Sequence, residues 1–280
     1  MLAIRKLLAA PVIAFMVVGV TTFTRVEAKF PAECELPKAA KGTKERKVDK
    51  QCGLPGLADE PEKQAQNRQK NDFCAQGPAV ALTREHFEQL QRAAAQAGVR
   101  FGSRDHLPTD RGALREILRL PDGTRIGEGS LVRHVGFISH PRYSNVDNGE
   151  SVNCNFHGEA NNDVHFDLLQ DTDEEACFSV TAEISPHHRT GHYEVPILRH
   201  HRVSERPVRV TGHLFFDASH KPCLDGEPQE NLKRISLWEI HPVYSIEVCR
   251  RKTMEACRVD NNSAWIPIER FINLAGEEDD

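Results

Sequence analysis

Five segments between Gly129 and Cys249 alternate apolar and polar residues with a period of two, and two of them carry a glycine at the same place. Successive side chains of a strand point to opposite faces. Residues 131–139, 163–169, 177–184, 207–217 and 236–249 are therefore predicted as strands. The first and fourth share a local pattern, Val132-Arg133-His134-Val135-Gly136-Phe137-Ile138 and Val208-Arg209-Val210-Thr211-Gly212-His213-Leu214. A glycine midway through a β-branched strand marks a bend or bulge. Two such bends, in strands one and four of five, suit a small closed barrel in which one strand serves two sheets.

The stretch 190–203, with Tyr193, Val195, Ile197 and Leu198, is predicted to hold a short helix with Pro196 in its first turn. Three strands, a helical connection and two strands is the element order of the OB-fold, a five-stranded Greek-key barrel. The segments Val208-Arg209-Val210-Thr211-Gly212, Asp163-Val164-His165-Phe166 and Trp238-Glu239-Ile240-His241-Pro242-Val243 together resemble OB-fold-like modules of exported bacterial proteins of unassigned function. That resemblance implies an architecture over roughly residues 128–250 and brings no catalytic residues with it. The expected fold class is mainly β with flanking helices (α+β), built on a small five-stranded OB-like Greek-key barrel.

Around the barrel the pattern changes. Residues 1–28 read as a signal peptide: Arg5 and Lys6 precede an apolar run from Leu7 to Phe23, and Val26-Glu27-Ala28 offers small residues for cleavage. The region 29–127 is expected to be partly flexible and helical. Residues 29–72 are polar enough to read as a disordered arm, unless Cys34, Cys52 and Cys74 staple it to the body. Helices are predicted over Arg84–Ala97, with Thr83 as N-cap, and over Asp110–Leu118, ahead of the turn Pro121-Asp122-Gly123. Residues 251–280 form an extension in which Ala264 to Leu274 is apolar enough to dock on the barrel, followed by an acidic tail from Glu277.

All eight cysteines, Cys34, Cys52, Cys74, Cys154, Cys177, Cys223, Cys249 and Cys257, follow the leader, and an even number in an exported chain reads as disulfides. Cys249 with Cys257, and Cys154 with Cys177, are the pairs expected from local geometry. The chain carries a net charge of −5, and the leader contributes +2 (Arg5, Lys6 and Arg25 against Glu27), so the remainder stands near −7. Such a balance disfavours nucleic acid, whose binding relies on neutralising phosphates. No second apolar run follows the leader, so no membrane contact is expected after cleavage.

The chemistry concentrates on the polar faces of three strands. Asp163 and His165, Glu183, and Glu239 and His241 point the same way within their segments and meet if those strands share a sheet. One reading is a site for a divalent metal such as zinc, with His165, Glu183 and His241 as ligands and Asp163 or Glu239 as catalytic base or outer partner. The other is a hydrogen-bonded network that fixes strand register. Asp217 and His220, after the fourth strand, extend the patch as binding residues. The histidines His187, His188, His192, His200 and His201 read as a solvated connection, and Trp238 as core. Ser179, Ser185 and Ser236 lie outside any Gly-x-Ser-x-Gly motif, and Gly127-Glu128-Gly129 lacks a phosphate-loop pattern. Two functions follow: a secreted or periplasmic, non-catalytic module for an oligosaccharide, peptide or protein surface, or a metal-dependent hydrolase such as a phosphodiesterase.

Overall fold

The strand from Leu131 to Tyr143 is long enough to pair with two partners, and that sharing closes the sheet. The computed structural model describes residues 45–108, 110–187, 189–224, 226–229 and 233–276. The leader, Cys34, His188 and the acidic tail lie outside the described residues. Upstream of the long strand come α1 (Lys47–Gln51), α2 (Pro61–Lys70), β1 (Val80–Ala81), α3 (Arg84–Gln96) and the hairpin β2 (Leu118–Arg119) with β3 (Arg125–Ile126). The long strand is β4 (Leu131–Tyr143), followed by β5 (Val164–Leu169), β6 (Val180–Ile184), α4 (Val195–Leu198), α5 (His201–Ser204), β7 (Pro207–Phe216) and β8 (Trp238–Cys249). The chain continues through β9 (Trp265–Pro267) into α6 (Ile268–Gly276).

β4 pairs antiparallel with β7 from Leu131 to Phe137, then with β5 from Phe137 to Tyr143. β5 pairs with β6, β6 runs parallel to β8 through Ala182 and Ile240, and β8 returns to β7. The result is a closed five-stranded barrel with flanking helices, compatible with an OB-like fold. Both predicted glycines sit where backbones crowd. A Cβ at Gly136, where β4 changes partners, would lie 2.9 Å from the Leu169 carbonyl oxygen. A Cβ at Gly212, at the register shift between β7 and β8, would lie 2.4 Å from the Pro242 carbonyl oxygen.

The apolar faces of all five strands join one buried cluster that includes Val132, Phe166, Ala182, Val210 and Ile240. Trp238 lies in it, against Phe216. α3 starts as expected: the Thr83 amide donates to His86 Nδ1 at 3.0 Å, and Phe87, Leu90 and Ala94 bury one face. α4 carries Pro196 in its first turn. β9 pairs with β8 and delivers Ile268 into the core, so the C-terminal extension docks as expected.

Three expectations change. Residues 110–118 are not a helix: a single turn at Gly112–Leu114 leads into β2. The Pro121-Asp122-Gly123 turn, with the Thr124 amide donating to Asp122 Oδ1 at 2.9 Å, folds Leu118 back onto Ile126 and claims it for a hairpin. Residues 45–72 are not a disordered arm, because α1 and α2 are fixed by a disulfide from Cys52 to Cys154 and by the buried residues Val48, Asn67 and Asn71. Cys154 therefore does not pair with Cys177, which bonds Cys223 instead. Tyr244 of β8 ties the barrel to the N-terminal segment, its hydroxyl donating to the Asp72 carbonyl at 2.8 Å. The expected Cys249–Cys257 bond is present, and Cys74 is disulfide-bonded as well. These three bridges point to an oxidising, extracellular environment. No helix among the described residues is long and apolar enough to cross a membrane.

Gly212→Ala should lower the melting temperature by about 6–12 °C, from roughly 3 kcal/mol of overpacking against backbone that cannot step aside. Gly191→Ala, with nothing within 4 Å of the new methyl, should change it little. His134 supplies a pH test. Burial holds its imidazole down at about 4, despite the Leu82 carbonyl 2.8 Å from Nδ1. Between about pH 6.5 and pH 4 the unfolded chain gains a proton that the folded chain refuses, so this contribution to stability falls as pH drops through that window. The stability difference between wild type and His134→Gln, from urea melts at both ends of the window, should change by about 3 kcal/mol.

Candidate functional site

Strand register brings the acids and histidines together. His165 of β5 stands opposite Glu183 of β6, and the parallel pairing of Ala182 with Ile240 sets His241 of β8 on the other side of Glu183. Glu183 is thus shared: His165 Nδ1 lies 3.2 Å from its Oε1, and His241 Nδ1 lies 3.1 Å from its Oε2. The same His241 nitrogen is 3.2 Å from Glu239 Oε1. Asp163 enters just before β5, its backbone fixed by the Ser144 amide, which donates to the Asp163 carbonyl at 2.9 Å. Among the described residues, donor atoms of Asp163, Glu183 and His241 lie within 4.8 Å of one another.

Cations arrive from outside these strands. Arg234, in the connection before β8, donates from Nη1 to Glu239 Oε2 at 2.9 Å and lies 3.7 Å from Asp217 Oδ2. Lys70, the last residue of α2, sits 3.8 Å from Glu150 and 5.8 Å from the centre of the Phe215 ring, whose edge in turn meets His241. Asp167 continues the β5 face, with Arg142 Nη1 3.8 Å away and His165 Nε2 3.9 Å away. Asp163, His165, Asp167, Glu183, Asp217, Arg234, Glu239 and His241 are each no more than 6% exposed, and Lys70 is 9% exposed.

Such burial sets the protonation states. Burial opposes charge on His241, yet Glu183, Glu239 and Asp163 outweigh it and raise the imidazole to about 10. Burial, helped by the cations Arg142, Arg234 and Lys70, pushes His165 down to about 3 against the pull of Glu183, so this ring is neutral beside its charged neighbour. Burial raises Asp163 to about 7 and Asp167 to about 6. For Glu183 and Asp217 burial is overcome, by Lys70 first in each case, and both carboxyls fall below their usual range. Glu239 goes up, through burial and the adjacent Glu183 charge. A neutral imidazole on β5, a charged carboxylate on β6 and a charged imidazole on β8 therefore stand side by side across neighbouring strands.

All five residues singled out on these strands meet in one place. The grouping differs in detail from the ligand set His165, Glu183 and His241: Asp163 joins Glu183 and His241, while His165 spans Glu183 and Asp167. Asp217 is tied into the cluster through Arg234, and His220 lies at its partly exposed rim, Nε2 3.4 Å from Asp217. Sequence reasoning passed over Lys70, Asp167 and Arg234. Asp167 was accessible, since it continues the alternation of Asp163 and His165. In the histidine-rich connection His200 and His201 are exposed, but His187 is buried with Nδ1 3.6 Å from Asp49. Comparison with known proteins finds no matching family model, no similar curated protein and no similar solved structure.

Arg234→Met tests the compensation directly. Removing one partner of a buried ion pair leaves uncompensated charge, so a loss of about 3–5 kcal/mol is expected, read as a melting point about 6–20 °C lower.

Proposed function

We propose that the chain is an exported, disulfide-stapled binding module that holds a polar ligand, an oligosaccharide or an extended peptide, without transforming it. The closed barrel and its three bridges fit a stable module for an oxidising environment. The observation that carries the reading is a contrast of access. The charged cluster, where catalysis would have to occur, is closed to solvent, so a substrate could reach His241 or Glu239 only after the structure opened. A groove lined by Arg133, Tyr193, Thr211, Glu247, Asn262 and Glu269 is open, and encloses about 420 Å³.

The groove suits a ligand with many hydrogen-bonding groups. Arg209 forms its fixed floor: it donates to Glu247 Oε2 at 2.7 Å, to the Val259 carbonyl at 2.7 Å and to Asn262 Oδ1 at 2.9 Å, and it stacks on Trp265. Arg133 differs in that its Nε finds no acceptor within the protein. A rigid polar floor favours recognition over chemistry, because pre-organised polar groups lower the entropic cost of holding a ligand.

Glycan and peptide arrays probed with the purified protein test this. Arg133→Ser should weaken a captured ligand at least about tenfold (about 1.4 kcal/mol) with the melting point unchanged. Equal retention by Arg133→Ser would place the ligand elsewhere and overturn the groove, as would a protein surface bound at another face. Turnover of a phosphodiester or ester that His241→Gln abolishes in a folded protein would replace the whole reading with the hydrolase.

A further inference from the structure

We propose that Asp163, Glu183 and His241 hold a first-row divalent metal ion, of the Zn²⁺ or Mn²⁺ kind, as a structural clamp between β5, β6 and β8. The inference does not rest on the binding groove, whose residues belong to the other part of the molecule's surface. Its first support is geometric: three donor atoms, from the residue just before β5 and from β6 and β8, lie within 4.8 Å of one another, and all three residues are buried. Its second support is independent of the clustering. Both carboxylate oxygens of Asp163, a residue 1% exposed, and Nε2 of His241 have no hydrogen-bond partner.

A buried carboxylate with neither oxygen bonded is costly, since its desolvation is left uncompensated. The nearby cations do not supply the missing partner. Arg234 engages Glu239 and Asp217 through Nη1 alone, with Nε and Nη2 finding no acceptor, and Lys70 lies against Glu150. Neither donates a hydrogen bond to Asp163. His241 presents Nδ1 to Glu183 Oε2 at 3.1 Å, so an ion shared by the two would enter there, in place of the ring proton. Glu239 Oε1, 3.2 Å from the same nitrogen, borders that position, while Asp163, with two oxygens that have no hydrogen-bond partner, could chelate.

The donor set selects the ion. Two carboxylates and one imidazole suit Zn²⁺ or Mn²⁺, whereas Ca²⁺ and Mg²⁺ favour oxygen donors throughout. Enclosure on all sides makes the role structural, since catalytic sites keep a coordination position open to solvent or substrate.

The experiment uses the full chain without its leader, stripped with a chelator and dialysed. Titration with Zn²⁺ or Mn²⁺ should give one tight ion per chain and, at a hundredfold excess over Kd, a melting point raised by about 5–10 °C. The same concentrations of Ca²⁺ or Mg²⁺ should leave it in place. Asp163→Asn and Glu183→Gln should each weaken binding at least about a hundredfold, while His220→Ala leaves it unchanged. If either acid variant fails to fold, the wild type still decides: bound Mn²⁺ should show magnetic coupling to one imidazole nitrogen by electron paramagnetic resonance. No uptake of ion, uptake that survives both acid substitutions (an adventitious surface site), or Mn²⁺ without nitrogen coupling would each overturn the proposal.

Discussion

Burying a strand face that carries Asp163, His165, Asp167, Glu183, Asp217, Glu239 and His241 is possible only if each charge meets its opposite inside the fold. β5, β6 and β8, with Asp163 just before β5 and Asp217 just after β7, supply the acids and the imidazoles, but not the guanidinium or the ammonium. Those come from the connection before β8, as Arg234, and from the end of α2, as Lys70. The connection and the N-terminal segment are therefore parts of the barrel's electrostatics, although neither contributes a strand to it. A second buried pair follows the same logic nearby, where Arg111 Nε donates to Glu128 Oε2 at 2.7 Å and the Phe216 amide donates to Glu128 Oε1 at 3.1 Å.

This dependence explains what the sequence disclosed. The strands were legible because period-two alternation and β-branched residues report directly on a two-faced sheet, and the glycines at 136 and 212 report on backbone crowding. The convergence of Asp163, His165, Glu183, Glu239 and His241 followed from the same periodicity once the strands shared a barrel. Lys70 was invisible because it lies in a stretch whose composition is that of a solvated chain; nothing local says that α2 ends beside buried acids. Arg234 sits in a connection, where no periodic pattern constrains which way a side chain turns. The hairpin at Leu118 was misjudged for a related reason: three apolar residues at helical spacing, Leu114, Ile117 and Leu118, are too few to outweigh a strong turn just beyond them.

The two proposals occupy different parts of the barrel and ask different things of it. A ligand groove needs exposed donors on a fixed floor, which Arg209 and its partners provide. A structural ion needs enclosure, which α2 and the loop carrying Cys154 provide. One small barrel can satisfy both because the groove draws on β4, β7 and the second half of β8, whereas the ion cluster draws on the start of β5, on β6 and on the first half of β8.

The Cys52–Cys154 bridge spans 102 residues of sequence and ties α1 to the loop between β4 and β5. Leu57, 57% exposed in the turn between α1 and α2, is the sort of position an extracellular protease attacks first. A nick there would free neither fragment. The piece before it would stay covalently moored through sulfur, and the piece after it, with Lys70, would remain continuous with the barrel, so the covering of the charged face would survive the cut.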